Sequence, residues 1–185
     1  GAQGYTAFPN LRDDDWLWGG SVEDIHYTLK HGIRWEADPD TRFSAMPAFL
    51  TDEILSKDEI SNVAHYVLSL SGAEHDAAAA AAGETPFVEQ CSACHGENGK
   101  GMRELGAPNL TDAIWLYGGS HETIVKTVAY ARNGVMPAWS ERLDDVTVKQ
   151  LAIYVALLGG GETTLAEAAK GKDERADAGD VASAP

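Results

Sequence analysis

The chain has 185 residues, of which 44% are hydrophobic, and a formal net charge of −15 at pH 7. This composition is normal for a globular protein, and because no run of 18 apolar residues occurs, the sequence predicts no membrane-spanning helix. The strong negative charge disfavours binding to nucleic acid or to anionic lipid, which are negative themselves, and favours a basic protein partner.

An internal repeat organises the chain. Residues 9–21 recur as residues 108–120, and both copies contain Pro-Asn-Leu, then Trp-Leu-Trp or Trp-Leu-Tyr, then Gly-Gly-Ser. In each copy the serine is suited to cap the helical pattern that follows it. A Met-Pro-Ala segment comes next, at Met46 and at Met136, and a second helical pattern closes each copy. We therefore predict two copies of one helical unit.

The motif Cys-Ser-Ala-Cys-His at residues 91–95 carries the chemistry of the second copy. Cys91 and Cys94 are spaced to form thioethers with the two vinyl groups of a haem, and His95 is placed to ligate its iron. Zinc would need further Cys or His ligands at suitable spacing, and a thioredoxin-like dithiol would need a βαβ pattern. Because neither pattern occurs, we predict one covalently attached haem c.

The second axial ligand decides what such a haem does. When histidine and methionine occupy the two axial positions of the haem iron, small ligands are excluded and the reduction potential is raised, as an electron carrier requires. An iron with one axial position open binds small ligands instead. We predict Met136, because Pro137 favours an extended backbone at the methionine and Gly134 lets the chain pass close to the porphyrin. Filling a core is the alternative role of this methionine. Met102 is expected to be a loop residue.

Four further residues are expected near the haem. The carbonyl of Pro108 is suited to accept a hydrogen bond from His95 Nδ1, although Pro108 could also be an ordinary turn proline. Trp115 and Tyr117 could donate to a haem propionate and Arg132 could pair with one, or the aromatic pair could be plain core. The sequence identifies no nucleophile or general base, so no catalytic site is predicted in the chain itself.

The repeat and the motif together predict an all-α fold of two tandem cytochrome c-like domains, the first truncated at its N-terminus. Cys91 lies 17 positions before Pro108, whereas only eight residues precede Pro9. We therefore expect a first Cys-x-x-Cys-His upstream of Gly1; a first domain that has lost its haem is the alternative. The expected parts are a first domain at residues 1–72, an Ala-rich connector at 73–83, the haem domain at 84–161 and a disordered acidic tail at 162–185.

These features resemble the diheme cytochrome c subunit of cbb3-type cytochrome c oxidases, the subunit III called CcoP or FixP. The resemblance covers about residues 5–160 and depends mainly on the Pro-Asn-Leu and Trp-Leu-Trp/Tyr-Gly-Gly signatures of both halves. It implies a second haem in the complete protein, with His and Met ligands throughout. On this chain it assigns Cys91, Cys94, His95 and Met136 to one haem, and Met46 as axial ligand of a first haem if that haem is present.

The resemblance also implies a location and partners. The complete protein would be anchored by an N-terminal segment on the periplasmic side of the bacterial inner membrane. It would contact the other oxidase subunits, a cytochrome c subunit and the catalytic subunit, and pass electrons from a basic donor cytochrome c towards the oxygen-reducing haem-copper centre. Two alternatives stay open: a soluble or dehydrogenase-linked multihaem carrier, and a haem sensor or enzyme with an open iron site.

Overall fold

The computed structural model describes residues 1–159 and 161–162. These residues form six α-helices and two single 3-10 turns, Arg103–Leu105 and Trp139–Glu141, and β pairing among them is limited to isolated bridges. The predicted all-α class is thereby confirmed. No helix in this part of the chain is long and apolar enough to cross a bilayer. The helices are α1 Val22–His31, α2 Lys57–Leu70, α3 Ala77–Gln90, α4 Ser92–His95, α5 His121–Tyr130 and α6 Asp145–Ala156.

Polar caps fix where the helices begin. Ser21 and Ser120, the equivalent serines of the repeat, cap α1 and α5 by accepting backbone N–H bonds from Asp24 and Thr123, as the Gly-Gly-Ser pattern predicts. The start of α2 has a capping box, in which the side chains of Ser56 and Glu59 bond each other's backbone N–H groups. Such caps satisfy amide groups that the first turn of a helix otherwise leaves unpaired.

The alanine run and the segment that leads into the haem motif lie on one helix. α3 extends without interruption over Ala77–Gln90, so the predicted boundary between connector and haem domain, at residue 83, falls inside it. Asp76 caps its first turn, and Phe87 near its end is fully buried in the core. Cys91 lies between the end of α3 and the start of α4, and its backbone N–H bonds the Phe87 carbonyl. The buried Phe87 therefore holds the attachment site against the core.

The helices of the two repeats pack across the copies. α2, from the first copy, packs against α3 and α5, which flank the haem motif in the second copy. In return, α6 of the second copy packs against α1 of the first. The hydrophobic core cluster accordingly combines buried residues of both copies: Phe49, Leu55, Ile60, Val63, Ala64, Val67, Leu68, Phe87, Ile124, Val128 and Ala129.

α2 and α6, the last helices of the two copies, differ in how much of their surface is buried. Ala64 on α2 and its counterpart Ala152 on α6 are both fully buried. Tyr66 of α2 packs against Phe87, with ring centroids 5.0 Å apart, whereas its counterpart Tyr154 on α6 is 62% exposed. The contact that α3 makes with α2 therefore has no equivalent on α6 among the described residues.

The start of the predicted tail is attached to the first copy. Glu162 donates its backbone N–H to the carbonyl of Gly20, accepts the N–H of Gly20 on its side chain, and forms an ion pair with Arg103. The rest of the predicted disordered tail, residues 163–185, lies outside the described residues.

Candidate haem-attachment site

The two cysteines of the motif lie one helical turn apart. Cys91 follows α3 and precedes α4, and its carbonyl accepts the backbone N–H groups of Cys94 and His95 at 3.2 and 2.9 Å. Residues three apart on a helix share a face, so this turn directs both thiols to one side. Both thiols are free; Cys91 is half-buried and Cys94 is exposed. One edge of a planar ligand could therefore reach both sulfurs from solvent.

His95 is held in the tautomer that a metal requires. Its Nδ1 lies 3.1 Å from the carbonyl oxygen of Pro108, which can only accept, so Nδ1 carries the proton and donates it. The lone pair of Nε2 remains available to iron, and the hydrogen bond fixes the ring orientation. Burial lowers the pKa of His95, against a smaller opposing effect of the Pro108 bond. Burial therefore favours the neutral imidazole, which is the ligating form, and the bond to Pro108 places its single proton on Nδ1.

The loop between His95 and Pro108 closes tightly enough to make that bond. Gly101 donates its N–H to the His95 carbonyl at 2.8 Å, and Leu110 donates to Gly99 at 2.7 Å. Gly101 has a φ of +77°, and a Cβ there would collide with the backbone of Ala107 and Pro108. Glycine is required at this position both for its positive φ and because the backbone of Ala107 and Pro108 approaches it closely.

The donor set fits a haem better than it fits a free metal ion. Burial, with a smaller contribution from Cys94, raises the pKa of the Cys91 thiol to about 11. In the described part of the chain, the sulfurs of Cys91 and Cys94 and the imidazole of His95 do not converge as the ligands of one metal ion would. Two thioether-forming thiols beside one neutral imidazole match the requirements of covalent haem c. Cys91, Cys94 and His95 are the residues that would hold it.

The other residues predicted near the haem fall into two groups. Trp115 packs against the same hydrophobic cluster as Cys91. Tyr117 lies apart with Arg132: its hydroxyl donates to the Arg132 carbonyl at 3.5 Å, and the guanidinium lies over the ring at 4.9 Å. The structure thus brings Tyr117 and Arg132 together, and their roles towards a haem propionate stay predictions.

The three methionines occupy different environments. Met46 packs against the hydrophobic cluster that Cys91, Leu110 and Trp115 also border. Met136 instead forms an isolated antiparallel bridge with Ile33, in the chain that follows α1. Met102 pairs with Ala107 in the loop after His95, as expected of a loop residue. The methionine that the structure brings beside the cluster at the attachment site is therefore Met46.

Sequence reasoning missed the polar residues that join the two copies. The Asn133 side chain accepts the Met46 N–H and donates to the Met46 carbonyl, both at 3.3 Å. Arg34 donates to the carbonyls of Gly134 at 2.7 Å and Ser44 at 2.9 Å. Both are single polar residues in loops, so no periodicity or motif marks them in the sequence.

Comparison with known proteins agrees with the site. Residues 78–155 match the family described as "Cytochrome C oxidase, cbb3-type, subunit III". The chain is 56% identical over 162 residues to the cbb3-type cytochrome c oxidase subunit CcoP of Cereibacter sphaeroides. The chain belongs to this CcoP/FixP family. It is also 51% identical over 170 residues to CcoP of Rhodobacter capsulatus and 55% identical over 163 residues to FixP of Azorhizobium caulinodans.

These alignments cover most of the chain but only part of each relative. In all three, 88% of the chain is aligned, against 56%, 57% and 55% of the respective relative. The chain thus spans little more than half the length of the CcoP/FixP subunits that it matches.

Proposed function

We propose that this chain carries single electrons through a haem c attached at Cys91 and Cys94, with His95 as an axial ligand, within a cbb3-type cytochrome c oxidase. The observation that carries the proposal is the hydrogen bond from His95 Nδ1 to Pro108, beside two free thiols one turn away. The bound haem supplies a one-electron couple. The chain's own residues bind its edge, orient the imidazole and keep its Nε2 unprotonated.

The finer organisation is part of the same proposal. The repeat supports two tandem cytochrome c-like domains, residues 1–72 and 84–161, with one haem on this chain and a second in the complete protein. A methionine would be the sixth ligand and would close the iron to small molecules. The repeat suggests Met136 and the packing suggests Met46, and the two assignments can be separated by experiment.

The proposed partners follow from charge and from the relatives. CcoP and FixP are named as subunits of an oxidase, so the catalytic and cytochrome c subunits of that oxidase are the expected neighbours, on the periplasmic side of the inner membrane. A net charge of −15 would attract a basic donor cytochrome c and steer its approach.

Electron flow through the assembled oxidase tests the proposal. In the full-length protein, the double substitution Cys91→Ala, Cys94→Ala removes both attachment points, and Ala93→Ser, at the exposed position between them, is the matched control. We expect oxygen consumption with reduced cytochrome c to fall to the background of a strain lacking the subunit in the double variant only, with the subunit still present by immunoblot.

Two results would count against the proposal. Unchanged oxygen consumption by a complex whose subunit lacks this haem would contradict electron transfer at the site. Purification of the full-length protein with a dehydrogenase, and without the oxidase catalytic subunit, would favour the alternative of a dehydrogenase-linked carrier.

A further inference from the structure

We infer that Trp18, from the first copy of the repeat, is a positioning residue for His95 in the second copy, because it braces the loop whose Pro108 carbonyl fixes the histidine ring. The inference rests on the proposed function, because it concerns the iron that His95 would bind. It goes beyond that proposal by assigning control of the reduction potential to a residue that lies outside the haem motif and in the other copy.

The contact is made at Gly106, in the loop that connects His95 to Pro108. This glycine has a left-handed φ of +57° and ends the 3-10 turn Arg103–Leu105. The indole ring of Trp18 lies so close to it that a Cβ at this position would collide with three atoms of the ring. Trp18 therefore occupies the space that a side chain at this position would fill, and the loop cannot shift towards the first copy without meeting the ring.

Two backbone hydrogen bonds connect this contact to the carbonyl that His95 uses. Met102 and Ala107 exchange both of their backbone hydrogen bonds, at 3.1 and 3.0 Å, across the 3-10 turn. Pro108 follows Ala107 directly, and its carbonyl oxygen lies 3.1 Å from His95 Nδ1. Only Ala107 thus separates Gly106, which the indole ring contacts, from the proline that orients the imidazole.

Trp18 is itself fixed by a cation that is anchored on α1. The Arg42 guanidinium lies over the indole ring, 5.7 Å from its centroid, where the face of the ring attracts a positive charge. Arg42 donates in turn to the Thr28 hydroxyl at 2.9 Å and to the Asp24 carboxylate at 3.1 Å, and both of these residues lie on α1. The ring is therefore bordered both by a group anchored on a helix of the first copy and by the loop of the second.

A second connection joins the same two segments. Glu162 donates its backbone N–H to the carbonyl of Gly20, two residues after Trp18, at 2.8 Å, and its side chain accepts the Gly20 N–H at 3.0 Å. The Glu162 carboxylate also forms an ion pair with Arg103, in the 3-10 turn of the loop. Because Arg103 is more than half exposed, this pair contributes little on its own, and the packed indole ring is the part of the brace to test.

The position of the Pro108 carbonyl determines how strongly His95 donates electron density to the iron. A hydrogen bond from Nδ1 raises the basicity of a metal-bound imidazole, and hydrogen bonding to the ligands is one of the factors that set the potential of a haem. Since a more basic imidazole stabilises the oxidised iron, a weaker bond to Pro108 shifts the reduction potential to a more positive value. Loss of the Trp18 ring would weaken that bond by letting the loop move.

A redox titration of the haem-loaded chain tests the inference. Trp18→Leu removes the indole ring, Trp18→Phe is the conservative variant that keeps an aromatic ring, and Trp35→Leu, at another half-buried tryptophan of the first copy, is the matched control. We expect a more positive midpoint potential in Trp18→Leu, recovery of most of this shift in Trp18→Phe, and the original potential in Trp35→Leu. A Trp18→Leu variant that holds its haem and keeps the original potential would overturn the inference.

Two nuclear magnetic resonance measurements on the reduced, haem-loaded chain complete the test. Hydrogen exchange of the Ala107 amide, which donates to Met102, should be several-fold faster in Trp18→Leu than in the unmutated chain, and an equal rate would contradict the brace. The unmutated chain should show nuclear Overhauser effects between the indole protons of Trp18 and the α protons of Gly106. Their absence would overturn the inference without any variant. A chain that acquires no covalent haem would instead contradict the proposed function, so the two failures are distinguishable.

Discussion

The two cysteines of the motif differ in burial, and this difference sets their reactivity. Burial raises the pKa of the Cys91 thiol to about 11, whereas Cys94 is exposed. Because the thiolate is the nucleophile, we predict that an alkylating reagent at neutral pH modifies Cys94 of the haem-free chain faster than Cys91. Mass spectrometry of peptides after short labelling times measures both rates. Equal rates, or a faster Cys91, would contradict the described burial of this turn.

His65 links three helices and makes stability depend on pH. Its ring stacks on His121 with centroids 4.0 Å apart, and its Nδ1 accepts the backbone N–H of Asp76 at 3.2 Å. Desolvation, and then the neighbouring His121, lower the pKa of His65 from 6.5. As pH falls, His65 is therefore protonated at a higher pH in the unfolded chain than in the folded chain. The resulting loss of stability begins near pH 6.5 and is complete below the folded-state pKa.

Substitution of His65 separates its contribution to the pH dependence of stability from that of other groups. We predict that the free energy of unfolding in urea falls as pH decreases from 7.5 through this window in the unmutated chain, and that His65→Gln reduces the slope. His75→Gln, at an exposed position in the neighbouring loop, is the control and should retain most of the slope, because His75 has the smallest effect among the groups that shift the pKa of His65. A slope that is unaffected by His65→Gln would show that other groups produce the pH dependence.

At the scale of elements, α2 and α3 can cross closely because the residue at their contact is a glycine, Gly83. Gly83 is buried, and a Cβ at this position would collide with the backbone carbonyl of Asn62 on α2. In an exposed helix, Gly→Ala stabilises by up to about 1 kcal/mol through helix propensity. Here we predict the opposite sign, a destabilisation of about 1–3 kcal/mol from overpacking.

Equilibrium unfolding of the haem-loaded chain shows whether Gly83→Ala raises or lowers the free energy of unfolding. Glu84→Ala, at the adjacent exposed position of α3, is the control and should change stability by less than about 0.5 kcal/mol. A more stable Gly83→Ala variant would mean that α2 and α3 do not cross at this residue.

Local signals made the helices predictable, and the packing between the two copies shows what local signals omit. The Gly-Gly-Ser pattern identified the caps Ser21 and Ser120, because capping involves residues only three apart. The choice between Met46 and Met136 depends on which half each segment packs against. Both segments read Met-Pro-Ala followed by an aromatic residue, so the sequence alone assigned each to its own half. Single loop residues, Asn133 and Arg34, join these segments by hydrogen bonds.

At the scale of the whole molecule, the interleaved packing predicts cooperative unfolding. α2 belongs to the first half but covers α3 and α5 of the second, and α6 packs in return on α1, so neither half can unfold without exposing the other's core. We therefore predict one transition in urea that coincides when followed by far-ultraviolet circular dichroism and by haem absorbance. Two separated transitions would indicate halves that fold independently.

Residues 91–95 are proposed to carry one redox-active haem, and a haem count combined with a redox titration of the 185-residue chain tests this most directly. A pyridine haemochrome assay gives haem per chain, and optical titration gives the number of electrons. We predict one covalent haem, one reversible single-electron step, and no carbon monoxide binding by the reduced protein. Absence of covalent haem, or stoichiometric carbon monoxide binding, would contradict an electron carrier closed by histidine and methionine.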